Sequence, residues 1–171
     1  MKCEIKHLDS RYDDEDNQYF CERKVKVKLP PVKKDWWRLF AFCIVKHYGL
    51  DGDLESTKVY VNPQHIRDLL CDLIENFVSD PIDVSDVQIE SPYHSLFHVW
   101  KQIEAQGTRR FADDEESLAQ LNVLLSWIKT RFEREIAVAK RCQSGDLKAI
   151  SFGKLWAIFF TWYISVHDTP G

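Results

Sequence analysis

Glycine and proline are scarce, at six residues each among 171, too few for a long disordered or collagen-like segment. Apolar runs are short too. The longest, Leu39 to Val45 and Leu155 to Phe160, fall well below the roughly 20 residues that cross a bilayer as a helix. The opening residues, Met1-Lys2-Cys3-Glu4-Ile5-Lys6, lack the apolar stretch of a secretory signal. Charge of one sign is not in excess: 23 Lys/Arg face 27 Asp/Glu, for a net charge of −4, so no global field attracts a polyanion. There is no C-x-x-C. The five cysteines, Cys3, Cys21, Cys43, Cys71 and Cys142, are odd in number and widely spaced, which fits reduced thiols and an intracellular address, cytoplasmic or nuclear.

Catalytic signatures are missing as well. A phosphate-binding loop needs Gly, four residues, then Gly-Lys-Ser/Thr, because backbone N–H groups wrap the phosphates and a hydroxyl holds magnesium. The Gly153-Lys154 pair is followed by Leu155, and Lys148 stands where the first glycine belongs. No G-x-G-x-x-G, G-x-S-x-G or H-E-x-x-H occurs. The expectation is a chain that is not an enzyme and takes no cofactor or metal.

What is present is a pattern that changes halfway. Hydrophobic residues make up 44% of the chain and aromatics 13%, enough at this length for a core without disulfides. The first half alternates with period two. Cys3 to Lys6 starts a strand, an acidic turn follows at Asp13 to Asn17, and Val25, Val27 and Leu29 alternate with lysines in a strand over Tyr19 to Leu29. Arg38 to Tyr48 is apolar on both faces, as in a strand covered on both sides. A turn over Gly49 to Ser56 leads to a strand over Thr57 to Val61.

The second half has helical spacing. Asn62-Pro63 predicts an N-cap and first-turn proline before Ile66, Leu69, Leu70, Leu73, Ile74 and Phe77. Val87 to Ile89 reads as a short extended piece. Ser91-Pro92 repeats the cap-then-proline signal ahead of Tyr93, Leu96, Phe97, Trp100 and Ile103, with Gly107 as a helix stop. Asp113-x-x-Glu116 predicts a capping box for a long third helix carrying Leu118, Leu121, Leu125, Ile128, Phe132 and Ile136 and ending at Gly145. Ser151 opens a short final helix. The fold class this predicts is α+β, a mainly antiparallel N-terminal sheet packed on three to four C-terminal helices.

Three groups of residues could carry chemistry. His94 and His98 share a helix face as two metal ligands would, but Ser95 stands where the zincin glutamate belongs. They point away from the apolar stripe, which predicts a solvated or partner-facing pair. Asp51-Gly52-Asp53-Leu54-Glu55 imitates a calcium loop, yet Ser56 and Asn62 occupy its required Gly and Glu positions, leaving an ordinary turn. A basic stretch from Arg23 to Arg38 beside Trp36-Trp37 would suit single-stranded nucleic acid, although alternating lysines also mark a protected sheet edge.

The run Val84 to His98, with Ile89-Glu90-Ser91-Pro92-Tyr93-His94-Ser95-Leu96-Phe97-His98 at its centre, resembles the N-terminal region of a fungal family of AAA-type ATPases. There an I-x-S/A-P-Y-x-x-L-F-H stretch precedes an acidic break and a long helix, matched by Ala112 to Leu118. A later hallmark matches Ala149 to Phe159, and Trp36-Trp37 and Val59 to Pro63 fit in order. The resemblance covers residues 1–159, read as one domain, and is lost over 160–171, a divergent tail; the apolar Phe159 to Ile164 at this junction would favour self-association or docking. It implies a non-catalytic regulatory or protein-interaction domain whose partner is a protein: an adaptor, a substrate, or the ATPase module of longer relatives. Trp36, Trp37, His94 and His98 are the candidate interaction surface. Two alternatives stand beside it: a fragment of a longer ATP-hydrolysing enzyme, and a nucleic-acid-binding module using residues 23–38.

Overall fold

The computed structural model describes residues 1–23, 35–74, 87–145 and 155–156. Five strands come mostly first: β1 (Lys2–Tyr12), β2 (Gln18–Glu22), β3 (Phe40–Tyr48), β4 (Leu54–Val61) and, later, β5 (Gln88–Glu90). They form one sheet in the order β2-β1-β3-β4-β5. The β1–β2, β3–β4 and β4–β5 pairs are antiparallel, and β1–β3 is parallel. With α1 (Gln64–Ile74), α2 (His94–Arg110), α3 (Glu115–Arg131) and α4 (Glu133–Gln143) following, the architecture is α+β with a mainly antiparallel sheet.

Register explains why β3 is apolar on both faces. Phe42 lies between Ile5 and Val61, and Ile44 opposite Val59, which in turn faces Ile89. These rows meet Leu69, Leu70, Leu96, Val99, Ile103, Leu121, Leu124 and Ile128 of the helices in the main core. Cys43 lies between Lys6 and Tyr60, and Val45 beside Leu8. Because neighbouring residues on a strand point to opposite sides, Cys43 and Val45 face away from the helices, where they cluster with Leu8, Trp37, Phe40 and Tyr60. Buried Cys43 and Cys71 pack as small apolar groups.

The two hairpin turns follow the sequence. Asp13 accepts from the N–H groups of Glu15 and Asn17, both at 2.9 Å. Asp51 accepts from the N–H of Asp53 at 3.0 Å. These are side-chain-stabilised turns of the kind aspartate favours, and the calcium-loop imitation is one of them.

Several boundaries differ from expectation. The strand predicted from Arg38 begins at Phe40, because Trp36–Leu39 form a 3-10 turn that folds Trp37 back over the sheet and leaves Leu39 61% exposed. The strand predicted over Tyr19 to Leu29 is described as far as Glu22, its lysine-rich part lying outside the described residues. The final helix and the 160–171 tail lie outside them too, save Leu155 and Trp156.

Asn62 does not cap α1. Its side-chain amide donates to the carbonyls of Phe40 (2.7 Å) and Trp37 (3.3 Å), and the Pro63 carbonyl takes the first helical hydrogen bond, from Arg67 at 3.0 Å. Asp114 rather than Asp113 caps α3, accepting from the N–H of Ser117 at 3.1 Å and from its hydroxyl at 2.6 Å. The long third helix breaks at Phe132, whose backbone leaves helical values while its ring packs against Phe97 at 5.3 Å. Gly145, at φ +76°, ends α4 as expected.

Gly107 is the clearest correction. It stops nothing: α2 continues to Arg110. A Cβ on it would lie 2.7 Å from Leu121 Cδ2 and 3.1 Å from Leu69 Cδ2. The glycine is there because α1 and α3 approach α2 too closely for a side chain.

Candidate functional site

Short β5 and the turn after it aim the first turn of α2. Ser91 N–H donates to the Thr57 carbonyl at 2.8 Å and Tyr93 N–H to Glu90 at 3.0 Å, tying the turn to the sheet. The Ser91–Pro92 peptide is cis and Tyr93 is left-handed, at φ +64°. Tyr93, not Ser91, precedes the helix, and its carbonyl accepts from Phe97 N–H at 3.3 Å. A bulky residue is rarely held at positive φ. Here its ring is buried and packs edge-on against Trp127 at 5.4 Å, which fixes it in place.

His94 and His98 emerge one turn apart from this start, His94 exposed and His98 half-buried. The indole of Trp156 lies flat on the His94 ring, with centroids 3.9 Å apart and planes 26° apart. It meets His98 edge-on at 5.7 Å and Phe97 at 5.0 Å. Burial lowers the pKa of both imidazoles. The charge of Arg131 adds to this at His94, and His98, also facing His94, is pushed to about 4. Both rings are therefore neutral near pH 7. Of the pair expected to be solvated or partner-facing, His94 is exposed and His98 half-buried, and both border an aromatic cluster that Trp156 joins. Sequence placed Trp156 in a motif but could not bring it to α2, some sixty positions away.

The tryptophan pair sits elsewhere. Trp36 opens the 3-10 turn. Trp37 is 8% exposed, packed against Phe20 at 5.5 Å and Tyr60 at 5.3 Å on the face of the sheet opposite the helices. Tyr60 pairs its hydroxyl with His47 Nε2 at 3.0 Å, and burial, reinforced by Lys58, lowers the His47 pKa. On the same face Ser10, beside His47 and Phe20 in register, is wholly buried with no partner for its hydroxyl among the described residues. Trp37 is thus a packing residue rather than an open surface. Arg23, at the start of the basic stretch, pairs with Asp9 at 3.4 Å, and residues 24–34 lie outside the described set. His47 and Tyr60 carried no sequence signal, because the strand pairing that joins them is not written in either segment.

A third feature was not foreseen. An open groove of about 460 Å³ runs between β1 and α3, lined by Ile5, Asn122, Val123, Ser126, Trp127 and Thr130. Val123 and Trp127, one turn apart, make an apolar floor with Ile5, while Asn122, Ser126 and Thr130 recur every four residues as a polar edge. Among the described residues, no charged side chain lines it.

Among the described residues, no group of three or more His, Cys, Asp or Glu side chains is placed to hold a metal, and no helix is long and apolar enough to cross a membrane. In comparisons with known proteins, no family model, curated protein or solved structure matches the chain.

Proposed function

We propose that this chain is a non-catalytic regulatory or protein-interaction domain, similar to the N-terminal region of fungal AAA-type ATPases, working inside the cell in the cytoplasm or nucleus. The groove between β1 and α3 supports this reading. Its uncharged lining, with an apolar floor and a polar edge, suits an apolar side chain of a protein partner bordered by hydrogen-bonding groups. Of the residues first singled out, Trp37 sits in a packed cluster, while exposed His94 and half-buried His98 meet Trp156.

Two experiments test the two halves of the proposal. Sequencing the native transcript downstream of the Phe159 codon tests the ATPase connection. A reading frame that continues into G-x-x-x-x-G-K-S/T supports it, and transcripts that all stop after Gly171 remove it. Placing a photo-crosslinking residue at Val123 in the native cell tests the interaction. Specific adducts from this site, with none from the same probe at exposed Arg109, support the reading; identical patterns from both sites sink it. The nucleic-acid alternative predicts binding that weakens steeply with salt, and two of its groups, Trp37 and Arg23, are already engaged within the fold.

A further inference from the structure

The groove between β1 and α3 lies close to the place where Trp156 meets the helices. Trp156 stacks on His94 at 3.9 Å. The residue before it, Tyr93, packs its ring against Trp127, on the groove floor, at 5.4 Å. Arg131, which follows the groove-lining Thr130, lies over the same Tyr93 ring at 5.9 Å. The chain continues past Trp156 through residues 157–171, and no charged residue occurs over 155–166. We propose, resting on the reading of the groove as a protein-docking site, that its resident occupant is this chain's own segment 159–164. The groove is then closed to other chains until that segment leaves.

Reach, polarity and tethering all favour this occupant. Trp156 and Trp127 rest on consecutive residues, His94 and Tyr93, whose Cα atoms are about 3.8 Å apart. An extended chain advances about 3.4 Å per residue, so Phe159 can stand about 10 Å beyond Trp156 and Ile164 about 27 Å. The groove falls within that range. Its lining is uncharged, and burying a charge there costs far more than burying an apolar group. Residues 159–164 bring Phe159, Phe160, Trp162, Tyr163 and Ile164, with Thr161 between them. Every other stretch outside the described residues carries charge, as at Lys24, Asp80 and Lys148. A volume of about 460 Å³ has room for a few of these large side chains. A segment tethered so close is present at about millimolar effective concentration, and it fills the site ahead of any scarcer free partner.

The test is photo-crosslinking in the purified full chain, mixed from isotope-labelled and unlabelled protein. The probe, p-benzoylphenylalanine, is placed at Ser126 and separately at Asn122, both exposed at the edge of the groove. Peptide mass spectrometry should find adducts joining either probe to residues 159–164 within one molecule. The same probe at exposed Arg109 should give none. Phe160→Asp/Trp162→Asp should abolish the adduct, and Phe160→Ser/Trp162→Ser serves if that variant does not fold. No adduct with 159–164, an equal adduct from Arg109, an adduct that survives these substitutions, or one that joins labelled to unlabelled chains overturns the proposal; the last would make the occupant a second copy. Partner adducts from Val123 in the cell, with no tail adduct in the purified chain, remove this inference and leave the docking reading standing. A tail adduct without partner adducts does the reverse.

Discussion

Replacing Gly107 with alanine sets two effects of known size against each other. Inside a helix, the change by itself stabilises by about 1 kcal/mol. Opposing it, the new Cβ would stand 2.7 and 2.9 Å from the two terminal methyls of Leu121 and 3.1 Å from one of Leu69. Leucine ends can often swing aside, but these side chains are 0% and 1% exposed, so any movement must displace other core atoms. Overpacking of this kind costs about 1–3 kcal/mol. The expected outcome is a net loss of about 1 kcal/mol, which lowers Tm by about 2–4 °C in a chain of this size. The sharper test is Leu121→Ala. That change alone costs about 2–5 kcal/mol, but it removes the atoms that Gly107→Ala would strike. In that background Gly107→Ala should turn stabilising, by up to about 1 kcal/mol. Urea unfolding of the wild type, both single variants and the double variant reads the sign directly. A Gly107→Ala effect of the same sign and size in both backgrounds would refute the close-approach account.

Two further outcomes are expected. Asp114→Ala should lower the urea midpoint while Asp113→Ala leaves it unchanged, since Asp114 makes both hydrogen bonds to Ser117; the reverse order would restore the capping site to Asp113. The hydrogen bonds from Ser117 hold the Asp114 pKa below its usual value, so this contribution should vanish as pH falls through that lowered pKa. Burial lowers His7, His47, His94 and His98 in the folded chain, His98 to about 4, so the unfolded chain binds more protons below pH 6.5. The urea midpoint should therefore be lower at pH 5.5 than at pH 7.5, and an equal or higher midpoint at pH 5.5 would contradict the burial of these rings.

The distribution of apolar residues along the chain determined most of the architecture. The short apolar run of Arg38 to Tyr48, the β-branched Thr57 to Val61 and the helical spacing of Ile66 to Ile74 are local patterns, and each element's own residues largely decide it. The Asp13 and Asp51 turns were legible for the same reason: a short carboxylate finds its partner N–H within four positions. Gly145 could be read because the left-handed conformation it adopts is a local demand.

Tertiary contact decided the rest. Whether a glycine ends a helix or lets another pass is invisible locally, and Gly107 proved to be the second kind. Asn62 has the composition of a cap, yet its amide serves two carbonyls more than twenty positions away. The site residues divide along the same line. Their types and spacing marked Trp37, His94 and His98, but their roles depend on which rings reach them, and Trp156 and Tyr60 arrive only through the fold. The groove is the extreme case. Ile5 and Trp127 share no pattern, and the hollow between them exists because β1 and α3 are packed side by side. Periodicity is a property of a segment, whereas a surface is a property of segments brought together.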